Sequence, residues 1–218
     1  MAYVTPGTVA AGDVATAAAW NVLTNDVIDL DSRLRVFTTE AARDAAITSP
    51  SEGMIVYLTA PTIPAATGGS TQIPTGIRTI YNGTNWVCIT PIGAYSEPVG
   101  TTTSTSYTTT LGGSPGTNAT VTLVTGTTAR VSVRADHYLS GTGGSFVSVA
   151  VSGASTVAAS DAFGIYQVGH TVNQEHAVGT TFMISGLTAG TNTFSLSYRV
   201  TTATGSFYAR GLIVEGIA

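Results

Sequence analysis

Phe194-Ser-Leu196-Ser-Tyr198-Arg-Val200 decides the fold class. Large apolar side chains alternate there with Ser195, Ser197 and Arg199, the period of two that a strand shows when one face is dry and the other wet. The same rhythm returns in Val147, Val149 and Val151 against Ser148, Ala150 and Ser152, and in Val131 and Val133 against Arg130, Ser132 and Arg134. Turn-forming groups punctuate the chain: Gly112-Gly-Ser-Pro-Gly116, Thr125-Gly126, Gly141-Thr-Gly-Gly144, Gly153, Gly186 and Ala189-Gly190. About eight strands at a spacing of about ten residues predict an antiparallel β-sandwich or jelly roll over residues 95–218.

Composition agrees. Charged residues make up 9% of the 218, against about 25% in an average domain. Thr fills 39 positions and Gly 25, which favours strands and turns over long helices. All eight basic residues are Arg. Without Lys there is no Walker-type phosphate loop, Schiff-base or pyridoxal phosphate enzyme, or Ser-x-x-Lys hydrolase. A net charge of −4 with so few cations argues against nucleic acid as a partner. The single Cys88 makes neither an intrachain disulfide nor a Cys-based zinc site. No apolar run reaches the roughly 18 residues of a membrane span. Met1-Ala-Tyr-Val-Thr-Pro6 has neither the charge nor the apolar stretch of a signal peptide. A non-enzymatic protein without a cofactor is expected, and with few ion pairs its stability should respond little to pH or salt.

Working outward from the β region, residues 1–36 hold the one convincing long helix. Residues 1–15, with Pro6, Gly7 and Gly12, read as an extended arm. Thr16 is a suitable N-cap for Ala17-Ala18-Ala19. Trp20, Leu23, Val27, Leu30 and Leu34 then follow at spacings of 3, 4, 3 and 4, a heptad seam. Asp29 with Arg33 and Asp31 with Arg35 are i,i+4 pairs in the favoured order. A helix of about 20 residues is marginal alone in water, so the seam needs a cover. That cover is either the chain's own domain or a parallel coiled coil of identical chains. The seam is narrow for a globular helix, which favours the coiled coil, here a trimer.

Residues 37–94 predict a small α+β module. Thr39 caps Glu40-Ala-Ala-Arg43-Asp44-Ala-Ala46, and Pro50 follows the helix. Met54-Ile-Val-Tyr-Leu58 reads as a buried strand, and residues 60–76 as a long loop without apolar period. Ile77–Tyr81 and Trp86–Ile89 flank Asn82-Gly-Thr-Asn85, a hairpin signal.

Candidate sites are few. Gly112-Gly-Ser114-Pro115-Gly116 matches the G-x-S-x-G nucleophile elbow in letters, but Pro115 lacks the N–H that the oxyanion hole takes from that position. His137, His170 and His176 read as loop histidines on a polar surface, since they lack metal-ligand spacing; the alternative is a site assembled across a trimer axis. Asn82-Gly-Thr84 and Asn118-Ala-Thr120 match the glycosylation sequon only formally. Tyr95, Tyr107, Tyr138, Tyr166 and Tyr208 lie near strand ends or in loops, where flat rings can stack on sugar C–H faces. Of these, Tyr138 and Tyr166, with His170, are the candidates for contact with a receptor glycan. A glycan hydrolase would need two facing carboxylates, and residues 95–218 offer few beyond Asp136, Asp161, Glu175 and Glu215.

Thr16-Ala-Ala-Ala-Trp20-Asn21-Val-Leu23 resembles the N-terminal signature of tailed-bacteriophage virion proteins, mostly minor tail or fibre proteins. Ala41-Ala-Arg43-Asp44-Ala45, Glu52-Gly-Met54, Tyr57-Leu58 and Tyr81-Asn-Gly83 to Trp86-Val87 resemble a small module found behind such segments. Residues 95–218 are similar in style to the heads of trimeric phage fibres, jelly rolls of the tumour-necrosis-factor type. The resemblance implies a homotrimeric virion protein, made in the host cytoplasm and carried on the particle surface. Residues 1–15 would bind other virion proteins, and the head would adhere to the host as a short fibre or minor tail protein. The alternatives are a capsid decoration or head-fibre protein and, third, a glycan-active enzyme.

Overall fold

A computed structural model describes residues 34–218. Along the chain the elements are β1 (Leu34–Phe37), α1 (Glu40–Ala46), β2 (Ile55–Leu58), β3 (Ala65–Thr67), β4 (Ser70–Gln72), β5 (Ile77–Tyr81), β6 (Trp86–Cys88), β7 (Ile92–Ser96), β8 (Gly100–Thr102), β9 (Gly112–Gly113), β10 (Thr120–Thr125), β11 (Thr128–Leu139), β12 (Gly144–Gly153), β13 (Gly164–Val168), β14 (His176–Ser185), β15 (Gly190–Val200) and β16 (Gly205–Ile217). The alternating stretch is β15. Its Phe194, Leu196, Tyr198 and Val200 are fully buried, while Ser195 and Arg199 are half-exposed.

Two sheets share that core. One is ordered β13-β12-β15-β10-β3 and the other β14-β11-β16-β7-β4. Numbering β7 and β10–β16 from one to eight, the sheets read 5-4-7-2 and 6-3-8-1, the strand order of a jelly roll. The fold is mainly β, as the sequence predicts. From β11 the inward row is Ala129, Val131, Val133, Ala135, His137 and Leu139. From β12 it is Ser145, Val147, Val149 and Val151.

A four-stranded sheet, β1-β2-β5-β6, and α1 precede the jelly roll. Thr39 caps α1, its Oγ1 accepting from Ala42 N–H at 3.3 Å. The Asn82 side chain accepts from the backbone N–H of Thr84 and Asn85 and so closes the β5–β6 hairpin. Two expectations are corrected. Leu34, placed at the end of the helical seam, opens strand β1 instead. Leu34-Arg-Val-Phe37 carries β-favouring residues and joins the small sheet, so Arg35, expected in the helix, lies in a strand; Asp31 lies outside the described residues. Residues 60–76 are not one loop. They contain β3 and β4, which extend the edges of the two jelly-roll sheets by pairing with β10 and β7. Trp20, Leu23, Val27, Leu30 and residues 1–15 lie outside the described residues.

The small sheet meets one end of the jelly roll. A side chain added at Gly216, near the end of β16, would press on Val87 and the Cys88 carbonyl, both of β6. The opposite end is formed by the β11–β12, β13–β14 and β15–β16 loops, knitted together by backbone bonds. Ser140 N–H donates to Thr204, His170 N–H to Gly143, Asn173 N–H to Leu139 and Thr201 N–H to Gly144. At about 3.3 Å per residue, the length of β11 separates the two ends by roughly 35 Å. The knitted end is the distal end.

Candidate functional site

Beside the distal loops, three strands place a row of large side chains on the outer face of one sheet. Phe146 on β12 stands directly opposite Tyr166 on β13 and Arg199 on β15. The Phe146 and Tyr166 rings stack with centroids 5.5 Å apart and planes 20° apart. The Arg199 guanidinium lies 3.6 Å over the other side of Phe146 and 5.3 Å from the Tyr107 ring. Asp161 fixes it with a two-oxygen contact at 2.6 and 2.7 Å and accepts from the Tyr107 hydroxyl at 2.8 Å. Only Tyr166 stands well clear, at 55% exposure; Phe146 is buried beneath it.

Each contact holds its neighbour's charge state. The hydrogen bond from Arg199 holds the Asp161 carboxyl below its ordinary range, aided by Tyr107. Burial, followed by the bond to Asp161, pushes the Tyr107 phenol up to about 12. The result is an exposed, pre-stacked ring with a fixed cation and carboxylate at its flank. An aromatic face attracts the weakly positive C–H edge of a sugar, and a few oriented polar groups beside an apolar surface supply selectivity.

The three histidines meet inside the sandwich, just beneath the distal loops. Ser145 Oγ lies 2.6 Å from His137 Nδ1 and 2.7 Å from His170 Nε2. His176 packs edge-on to His170, with ring centroids 4.8 Å apart, and His137 stacks on Phe207 at 6.0 Å. His137 Nε2, His170 Nδ1 and His176 Nε2 have no hydrogen-bond partner. Burial holds His137 down to about 4, with His170 and His176 adding to the shift. Burial also lowers His170, His176 acting in the same direction and the Gln174 backbone against it. Among the described residues, no three His, Cys, Asp or Glu side chains form a group able to hold a metal ion.

The sequence-predicted contact residues do not share a surface. Tyr166 is exposed on the outer face of the β12–β13 sheet. Tyr138 lies on the outer face of the other sheet, half-buried and edge-on to Tyr208 at 6.5 Å. His170, expected on a loop surface, is 2% exposed, because its ring fills the core below the loop that carries it. His137 is likewise corrected: it lies on β11 and is fully buried. Sequence reasoning missed Phe146 and Arg199, although the alternation put Arg199 outward. It marks Tyr107 only as one of several rings near strand ends and Asp161 only as one of few carboxylates, not as partners of Arg199. A shallow groove of about 300 Å³ on the other sheet is lined by Gln72, Tyr95, Ser132, Arg134 and Ile213. It has no comparable exposed ring pair.

No protein-family model matches the chain, and no curated protein matches its sequence. Solved structures do. The Eiger TNF of S. frugiperda matches with TM-score 0.40 and 10% identity, over 59% of this chain and 92% of the other. Infectious bursal disease virus, Gx strain, matches with TM-score 0.36 and 10% identity, over 64% of this chain and 40% of the other. The C-terminal CBM6 of LamC, a laminarinase of Zobellia galactanivorans, matches with TM-score 0.23 and 9% identity, over 45% and 73%. Matches this loose leave the strand order as the ground for the fold. No helix among the described residues is long and apolar enough to cross a membrane.

Proposed function

We propose that this chain is a non-enzymatic structural protein of a tailed-phage virion, a homotrimeric short fibre or minor tail protein whose jelly-roll head adheres to a glycan on the host surface. The observation that carries the adhesive role is the Tyr166–Phe146–Arg199 row. An exposed ring is stacked in advance on a buried one, so little side-chain freedom is lost when a sugar docks. The row lies near the end of the head remote from the small sheet, where a projecting protein meets its target. The virion assignment is supported by the resemblance of Thr16–Leu23 and of the Ala41–Val87 motifs. Residues 1–15 then serve attachment to the particle, and the heptad seam serves the trimer.

Binding of the purified full chain to an array of bacterial surface polysaccharides tests this. Saturable binding to a polysaccharide, weakened at least about tenfold by Tyr166→Ala, is the expected result. Absence of binding anywhere on an array that represents the host would overturn the glycan reading. If phage carrying Tyr166→Ala adsorb normally while particles lacking the protein are fragile, the protein decorates the capsid.

A further inference from the structure

Arg210 is the one strongly cationic side chain that the described fold buries completely, at 1% exposure. A β-bulge puts it there. Across β11 and β16 the register slips between Arg134 and Asp136, so Ala209 and Arg210 together oppose Ala135. Ala209 takes the left-handed conformation, with φ 47°, which a residue with a side chain adopts only against strain. The bulge turns Arg210 inward, beneath the segment that joins β7 to β10. Bulges commonly re-aim a side chain in this way.

The buried guanidinium has acceptors but no counter-charge. Nη2 donates to Ser96 Oγ at 2.8 Å, to the Pro98 carbonyl at 3.1 Å and to the Pro115 carbonyl. Nη1 donates to the Tyr198 hydroxyl at 3.4 Å. Nε has no partner. None of the ion pairs among the described residues includes Arg210. Tyr198 does not supply the missing charge, because burial pushes its phenol up to about 12 and its proton is given to Asn118 Oδ1. A guanidinium stays charged at physiological pH, and an unpaired buried charge is strongly disfavoured. Above it opens a cavity of about 180 Å³, lined by Thr109, Thr110, Leu111, Pro115, Gly116 and Asn118.

We propose that this cavity is a binding site for the carboxylate group of a small ligand, with Arg210 as the cation and the Thr109 and Thr110 hydroxyls at its mouth. Two sources share that chemistry, an acidic sugar and a simple organic acid. The site takes its cation from β16 and shares no lining residue with the Tyr166 row, although Tyr107 stands two residues before Thr109, and it stands without that row.

The eight arginine side chains give few Nε–H resonances, so nitrogen–proton NMR of the full chain reads Arg210 directly. The chain is titrated separately with sodium glucuronate, sodium acetate, glucose and sodium chloride. A saturable shift of the Arg210 Nε–H with glucuronate and not glucose is expected. Acetate acting as strongly as glucuronate identifies a simple carboxylate as sufficient; acetate acting weakly identifies the sugar ring as part of the ligand. Arg210→Met risks the fold, so exposed Thr109 carries the mutational arm. Thr109→Glu sets a like charge at the mouth and should weaken glucuronate binding at least about tenfold, while Thr109→Gln retains it. No saturable shift with either carboxylate, an equal shift with glucose or chloride, or unchanged binding in Thr109→Glu would overturn the proposal.

Discussion

His137 and His170 hold the same hydroxyl, the Oγ of Ser145, at 2.6 and 2.7 Å. A hydroxyl donates one hydrogen, so one ring must donate to it and the other accept from it. The two tautomers are therefore coupled. The arrangement also requires at least one ring to be neutral: when both are protonated, each ring nitrogen donates, and the Ser145 hydrogen has no acceptor. No carboxylate pairs with the three histidines among the described residues.

Stability should therefore fall on acidification. His137 is held down to about 4 from the ordinary 6.5. Between those values the unfolded chain binds the proton and the folded chain does not, so stability rises with pH. It is complete above 6.5, declines as pH falls towards 4, and the loss there is about 3 kcal/mol for His137. His170 adds in the same direction. Denaturant midpoints at constant salt between pH 7.5 and 4 check this, and His137→Phe, which keeps the stack on Phe207, should flatten the slope. This corrects the pH-insensitivity expected from the low charge content. Few ion pairs still imply a weak response to salt.

Ser145→Ala should destabilise the head by about 1–3 kcal/mol, because two ring nitrogens lose their partner inside the core. Thermal melting at pH 7.5 measures it. A change below about 0.5 kcal/mol would mean that water or a tautomer change satisfies the rings without the hydroxyl.

Gly164 on edge strand β13 lies opposite Ser148. A side chain there would overlap the Val147 carbonyl and lie 2.8 Å from Ser148 Cα. Backbone cannot yield as a flexible side chain does, so Gly164→Val should detach β13 and cost about 2–3 kcal/mol. Tyr166 would lose its stack on Phe146, and with it any glycan binding. Gly112→Ala is the control. Its new methyl would sit 3.5 Å from Thr101 Oγ1, ordinary contact, and stability should change by less than about 0.5 kcal/mol.

The central strands were legible because burial writes a period of two into them. Phe194 to Val200 and Val131 to Val133 read directly as β15 and β11. β3 and β4 were not legible, because Ala65-Ala-Thr67 and Ser70-Thr-Gln72 are edge strands that bury too little to need a pattern. The histidine cluster was half legible. Carrying the β11 alternation forward from Val131 and Val133 puts His137 on the dry face, and carrying the β12 alternation back from Val147 does the same for Ser145. That His170 meets them depends on loop closure across the distal end, which no local pattern encodes. The inward turn of Arg210 was hidden for a related reason: a bulge breaks the alternation that would have revealed it.

The oligomeric state remains the sharpest consequence of the N-terminal segment. Leu34 belongs to β1, so the heptad seam is left with Trp20, Leu23, Val27 and Leu30. Read as a helix, so short a segment is marginal alone, and either the chain's own domain or association with identical chains would have to supply its stability. On the trimer reading, light scattering of the full chain should give three times 22.1 kDa. Leu30→Asp sets a charge at the last position of the shortened seam, at a cost of several kcal/mol in each chain. The variant should dissociate at micromolar concentration. Its pH-dependent melting, which arises inside one jelly roll, should survive. A wild-type chain that runs as a monomer, or a Leu30→Asp variant that stays trimeric, would move the trimer contact out of the helix or abolish it.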